Sequence, residues 1–340
     1  MKKTPLLFIL GFTASLWCAC NPSSVSNNDT PPVVSPNETN EAALEKEIAA
    51  GFNADSAYYF IAKQVGFGPR VPGTASHRKC GDYLVQTLKN MGPTPPEVQE
   101  QFSTARTFDN KTIPVRNIIS QFYPERARRI LLAAHWDTRP FAETDPHKPH
   151  LPIEGANDGA SGVGVLMEIA RQLALHDPGI GVDIIFFDAE DWGDTSGQVE
   201  DSYCLGSQYW AKNPHVPNYT ADYGILLDMV GDKNALFAIE DFSWRMAQPV
   251  VQKIWNKAQS LGYGNLFINQ KRGPIIDDHY YVMLHRQFPM VDIINFDPNS
   301  YSRFGRTWHN HNDNLENIST ATLLAVGKTV IHILFTEKKT

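Results

Sequence analysis

Acidic residues and histidines recur in this chain directly after short apolar runs. His135-Trp136-Asp137 follows Ile130-Leu131-Leu132-Ala133-Ala134, Asp188-Ala189-Glu190-Asp191 follows Asp183-Ile184-Ile185-Phe186-Phe187, and Asp228 follows Ile225-Leu226-Leu227. Three more polar groups stand apart: Asn157-Asp158-Gly159-Ala160-Ser161-Gly162, Ile276-Asp277-Asp278-His279, and Trp308-His309-Asn310-His311-Asn312-Asp313-Asn314. Carboxylate oxygen and imidazole nitrogen form an ordinary zinc ligand set, and a catalytic zinc keeps three protein ligands and one open position. Asp158, Asp191 and His309 fit that count. Glu190, next to a ligand but longer, is then left to carry protons.

The elements that must position these residues follow from the same runs. They are apolar throughout rather than alternating, so both faces of each strand are buried and helices must cover a largely parallel sheet on both sides. A ligand site in such a sheet lies beyond the carboxyl ends of the strands. One strand-end carboxylate is usually a cap or a solvated edge; three such ends, with a glycine-rich helix start, predict convergence. The expected fold is a three-layer α/β domain. Strands are expected at 115–121, 129–134, 182–187, 224–229 and 290–295, and helices at about 41–63, 76–91, 159–176, 243–261 and 320–335, with a rigid turn at Gly66 to Thr74.

In this order and at compatible spacing, His135-Trp136-Asp137, Asp158 before a glycine-rich helix start, Glu190-Asp191, Asp228 and His309 resemble the zinc aminopeptidase superfamily, from about Phe52 to the end. Within it, Asp277-Asp278-His279 and Trp308-His309, with Phe304 four residues before the tryptophan, are similar to the glutaminyl cyclase branch. That branch converts N-terminal glutamine to pyroglutamate and releases ammonia. The resemblance implies one zinc ion held by Asp158, Asp191 and His309, Glu190 as the proton-transfer carboxylate, and Asp277 and Asp228 hydrogen-bonded near it. It also implies peptides beginning with glutamine as substrates; Trp308 and Trp192, each next to a ligand, and Phe304 are expected to wall the glutamyl side chain. Two positions depart from the animal cyclases: Asp191 stands where they have a second glutamate, and Ile276 where they commonly have glutamine. The first calls for a slightly closer strand end, and the second leaves backbone rather than side-chain binding at that point.

Two rivals remain. In a dizinc aminopeptidase, His135 and Asp228 hold a second ion bridged by Asp158, and Glu190 serves as base to a metal-bound water. Asp277-Asp278-His279 and Trp308 are what such a hydrolase does not need. An inactive surface protein that binds peptide termini is expected to have lost Glu190 or a ligand, and neither is lost.

Composition sets the outer bounds. The 340 residues are 42% hydrophobic and 20% charged, ordinary for a globular chain, and the net charge of −7 provides no basic field for nucleic acid. Met1-Lys2-Lys3 followed by an apolar stretch from Leu6 to Trp17 reads as an export signal too short to span a bilayer permanently. It closes on Cys18-Ala19-Cys20, which resembles a bacterial lipoprotein signal, so residues 1–19 are expected to be removed and Cys20 lipidated. The expected location is periplasmic, anchored to a bacterial membrane only through that lipid. Residues 20–40 lack bulky side chains and read as a tether, leaving 41–340 as one catalytic domain, expected to act as a monomer. Cys80 and Cys204 are expected as buried free thiols rather than a bridge.

Overall fold

A computed structural model of the chain describes residues 51–337. The expected leader, Cys20, the tether and the start of the helix expected from Glu41 lie outside the described residues. The strands are β1 (Glu97–Arg106), β2 (Thr112–Phe122), β3 (Arg129–His135), β4 (Gly181–Phe187), β5 (Tyr223–Asp228), β6 (Phe237–Ile239), β7 (Phe267–Lys271) and β8 (Met290–Ile294). The helices are α1 (Ala54–Val65), α2 (Ala75–Lys89), α3 (Ala160–Leu175), α4 (Leu205–Lys212), α5 (Asp241–Ser260), α6 (Asp278–Arg286) and α7 (Thr320–Thr336).

Six strands form one sheet in the order β1-β2-β4-β3-β5-β8. The pairings of β3 with β4, β3 with β5 and β5 with β8 are parallel, whereas β1 with β2 and β2 with β4 are antiparallel. The parallel part is therefore the half that ends in His135, Asp188 and Asp228. Every residue of β3, β4 and β5 is buried. Alternate residues feed two cores: Ile130, Leu132, Ala134, Ile184 and Phe186 pack under α1, α2, α3, α5 and α7, while Leu131, Ala133, Ile185 and Phe187 pack against Trp210 of α4 and Val282 and Met283 of α6. Those two covered faces make the three layers.

No hydrophobic pattern announces β1, and the structure explains why: none of its residues is fully buried, and it pairs only at the antiparallel edge. Helix α6 was also hidden, because its start is Asp277-Asp278-His279, which reads as a site motif. Asp277 is in fact the N-cap, its carboxylate accepting the backbone N–H of Asp278.

Candidate metal centre and active site

The carboxyl ends of β3, β4 and β5, the start of α3 and the loop after β8 meet at one point. Ligand atoms of Asp158, Asp191 and His309 all lie within 4.8 Å of one another, and all three residues are buried. His309 Nε2 is 3.2 Å from Asp191 Oδ1 and 3.8 Å from Asp158 Oδ2. Asp191 Oδ2 is buried without a hydrogen-bond partner among the described residues, an arrangement that a cation would satisfy. One imidazole and two carboxylates, with an orphaned oxygen between them, fit zinc. A second set, His135, Asp158 and Asp228, shares the Asp158 carboxylate; His135 Nε2 is 3.1 Å from Asp158 and 3.2 Å from Asp228.

Local structure fixes each of these side chains. The carboxylate of Asp313 accepts the backbone N–H of Asp158 at 3.0 Å and that of Asn157. Gly159 then turns the chain into α3 at φ 94°, where a β-carbon would sit 2.4 Å from the Asp137 carbonyl oxygen. Asp137 accepts the N–H groups of Glu190 at 3.1 Å and Asp191 at 3.2 Å, so one carboxylate holds both candidate site residues beyond β4. Arg139 donates to the Asp191 carbonyl at 3.0 Å and its carboxylate at 3.2 Å, and pairs with Glu143. Glu143 in turn lies 3.3 Å from His309 Nδ1, leaving Nε2 toward the ligand cluster. Ala189, Cys204, Met229 and His309 all adopt positive φ, between 49° and 59°, so strained backbone gathers around the site.

Beside this cluster, Glu190, Cys204 and Asp277 bring their side-chain atoms within 4.8 Å of one another. The Cys204 thiol donates to Glu190 Oε1 at 3.3 Å and lies 3.9 Å from Asp277 Oδ1. Burial pushes the Glu190 carboxyl well above its ordinary value, helped by the charges of Asp191, Asp277 and Asp278. Burial and the neighbouring Asp228 raise Asp277 to about 7, and burial with the Asp191 charge raises Asp158 to about 6. Asp191 goes the other way: burial alone would raise it, but His309 and Arg139 outweigh that and hold it low. The pocket thus holds carboxyls poised to carry protons beside one held ionised.

A cavity of about 1000 Å³ opens over these residues, walled by Trp308 and Phe304. The Trp308 and Phe304 rings are 5.2 Å apart.

Sequence comparison places the site in a family. The pattern of peptidase family M28 matches residues 117–334. The chain belongs to peptidase family M28. The M28 chain is similar to a crystal structure of a zinc-dependent exopeptidase from Parabacteroides distasonis, at 53% identity over 84% of this chain and 99% of that one, with a TM-score of 0.82. It is similar at 49% identity, over the same shares and with the same TM-score, to a crystal structure of Tannerella forsythia glutaminyl cyclase. Among curated proteins, the glutaminyl-peptide cyclotransferase of Gloydius blomhoffii is 25% identical over 76% of this chain and 75% of its own.

In this M28 protein Asp158, Glu190, Asp191, Asp228, Asp277, Phe304, Trp308 and His309 line one cavity. Trp192 does not line the cavity. Its ring is buried with Val71, Ile113, Val115 and Ala189, and its indole N–H donates to Asp109 at 3.1 Å. His311 bonds Asp145 at 2.9 Å and ties two loops together, in keeping with a loop-orienting role, and His279 bonds Glu240 at 3.1 Å. Cys80 and Cys204 are free and buried. Sequence reasoning missed Arg139, Glu143 and Asp313 as supports. The only available signal was their place in the same loops as His135, Asp158 and His309.

Proposed function

We propose that this protein is a zinc-dependent glutaminyl-peptide cyclotransferase, an acyltransferase that cyclises N-terminal glutamine to pyroglutamate and releases ammonia. The observation that carries the reading is the Glu190–Asp277 pair, a half-buried and a buried carboxyl joined through Cys204 at the edge of the ligand cluster. Similarity to solved glutaminyl cyclases supports it. Asp158, Asp191 and His309 would hold one zinc ion per chain. When bound, zinc supplies Lewis-acid polarisation of the substrate's γ-amide carbonyl.

The chain's own residues do the rest. The new bond joins the α-nitrogen to the side-chain amide carbon, and the bond to the amide nitrogen breaks. An α-ammonium with a pKa of about 7.7 to 8.0 is partly neutral at working pH. Glu190 takes the proton the amine must lose and returns it to the departing ammonia, while Asp277 keeps that carboxyl oriented and shares the proton. Trp308 and Phe304 pack the glutamyl chain into a near-attack shape, a contribution that can reach about 7 to 11 kcal/mol.

His135 Nε2 between Asp158 and Asp228 supports a second reading, a dizinc aminopeptidase. Zinc content per chain decides between them when measured alongside ammonia release from a Gln-initiated peptide and amino-acid release from a Leu-initiated one. One zinc with ammonia release is expected; two zincs with amino-acid release alone would sink the cyclase. Export, lipidation at Cys20 and a monomeric state belong to the same proposal, supported by the leader sequence for the first two. Fractionation and intact mass of the cell-derived protein test export and lipidation, and sedimentation tests the monomer.

A further inference from the structure

The wall of the cavity on the side of β7 and the loop after β8 carries three cations, Lys271, Arg272 and Arg303. Arg272 is sandwiched between Phe296 and Phe304 at 5.1 and 4.9 Å and donates to the Asn295 carbonyl at 2.8 Å. Lys271 Nζ rests over the Trp244 ring at 4.1 Å, and Arg303 donates to the Pro298 carbonyl at 3.2 Å. Arg272 feels the buried carboxylates of Asp292, Glu240 and Asp228, whereas Lys271 and Arg303 are exposed and form no carboxylate ion pair among the described residues. This contrasts with Arg116, Arg129 and Arg139, all of which are paired.

Asp194 also lines the cavity, and the N–H groups of Ser196, Gln198 and Val199 with the Ser196 hydroxyl hold its carboxylate ionised in a local turn. The floor is the acidic cluster. A substrate amine drawn to that floor leaves the next residues of its chain passing the mouth, where the exposed Lys271 and Arg303 offer positive charge on one side. Oriented stacking and carbonyl bonds hold these cations in place, so their field is preorganised for an incoming anion.

We propose that this wall makes the site selective for glutamine-initiated peptides with an acidic residue at the second or third position. The inference rests on the cyclase reading above.

The test compares kcat/KM for Gln-Glu-Ala-amide, Gln-Ala-Ala-amide and Gln-Lys-Ala-amide, the amides removing any terminal carboxylate. The expected order is Glu, then Ala, then Lys. Exposed charge pairs support a spread of about two- to fivefold at low salt, shrinking at about 0.5 M salt as screening sets in. The double variant Lys271→Glu, Arg303→Glu is expected to invert the order. Equal rates on all three peptides, or an order indifferent to salt, overturn the acidic preference and leave the cyclase standing. An order that survives charge reversal overturns it as well. Ammonia from none of the three overturns both. Because the salt series uses the unaltered protein, it decides the matter even if the double variant fails to fold.

Discussion

His309 lies flat against Trp308, with 3.6 Å between ring centroids and 22° between planes. Stacking on one face and Glu143 at Nδ1 on the edge leave the imidazole a single orientation, with Nε2 directed at Asp191. The cavity wall and the candidate ligand are thus one unit, so a displacement of Trp308 also displaces His309.

If Glu143 fixes that orientation, Glu143→Ala should weaken zinc binding about 10- to 100-fold, the usual cost of losing a partner behind a ligating histidine. Competition with a chelator measures the affinity, and activity should return when zinc is added in excess. Unchanged affinity would assign Glu143 to Arg139 alone.

Glu190→Gln should keep zinc and lower kcat by about 10²- to 10⁴-fold, the range of a general acid–base residue. Asp277→Ala should lower kcat far more than it raises KM. Loss of zinc from Glu190→Gln, or a pure KM effect in Asp277→Ala, would contradict the division of labour proposed here. Asp277 also caps α6, so melting curves of both variants are needed alongside.

Chelation should be most damaging at high pH. In the metal-free chain Asp158 is raised to about 6 and Asp277 to about 7, against about 3.9 when unfolded. Between those values the folded chain binds protons that the unfolded chain does not, so these two carboxyls contribute stability in acid that is lost as pH rises through 6 to 7. Zinc replaces the proton at Asp158 and removes part of that loss. The Tm gap between zinc-loaded and chelated protein should therefore widen from about pH 5 to about pH 8, and a constant gap would count against the assignment.

How much of this was legible in the sequence depended on what each residue touches. Ile130, Leu132, Ile184 and Leu227 announced a doubly covered sheet because burial on both faces leaves no polar positions. The strand-end acids followed from where ligands sit in such sheets. By contrast Asp313 and Arg139 act on Asp158 and Asp191 from 155 and 52 residues away, and no local pattern records such a bond. β1 is edge-exposed, and β6 has only three residues, too few for any periodicity. Trp192 misled through adjacency: it follows Asp191 in sequence, but beyond the end of β4 the chain is irregular, and its ring packs with Val71, Ile113 and Val115 instead of facing the cavity.

That difference separates the two tryptophans experimentally. Trp308 is partly exposed in the cavity, so Trp308→Ala should raise KM and lower kcat for a Gln-initiated peptide while moving Tm little. Trp192 is buried in a small cluster with Ala189, so Trp192→Ala should cost about 3 to 5 kcal/mol of stability, the usual price of truncating a buried aromatic. Ala189 sits at φ 53° immediately before Glu190, and its carbonyl accepts the N–H of Leu205 at 3.0 Å. A collapse at Trp192 is thereby passed to the Glu190 backbone, so kcat should fall in that variant too, with KM nearly unchanged. Restoring bulk with Trp192→Phe should recover both stability and kcat, since the ring and not its N–H fills the space. If Trp192→Ala instead raised KM as strongly as Trp308→Ala, the ring would have to reach the substrate, and the placement of Trp192 behind the wall would be wrong.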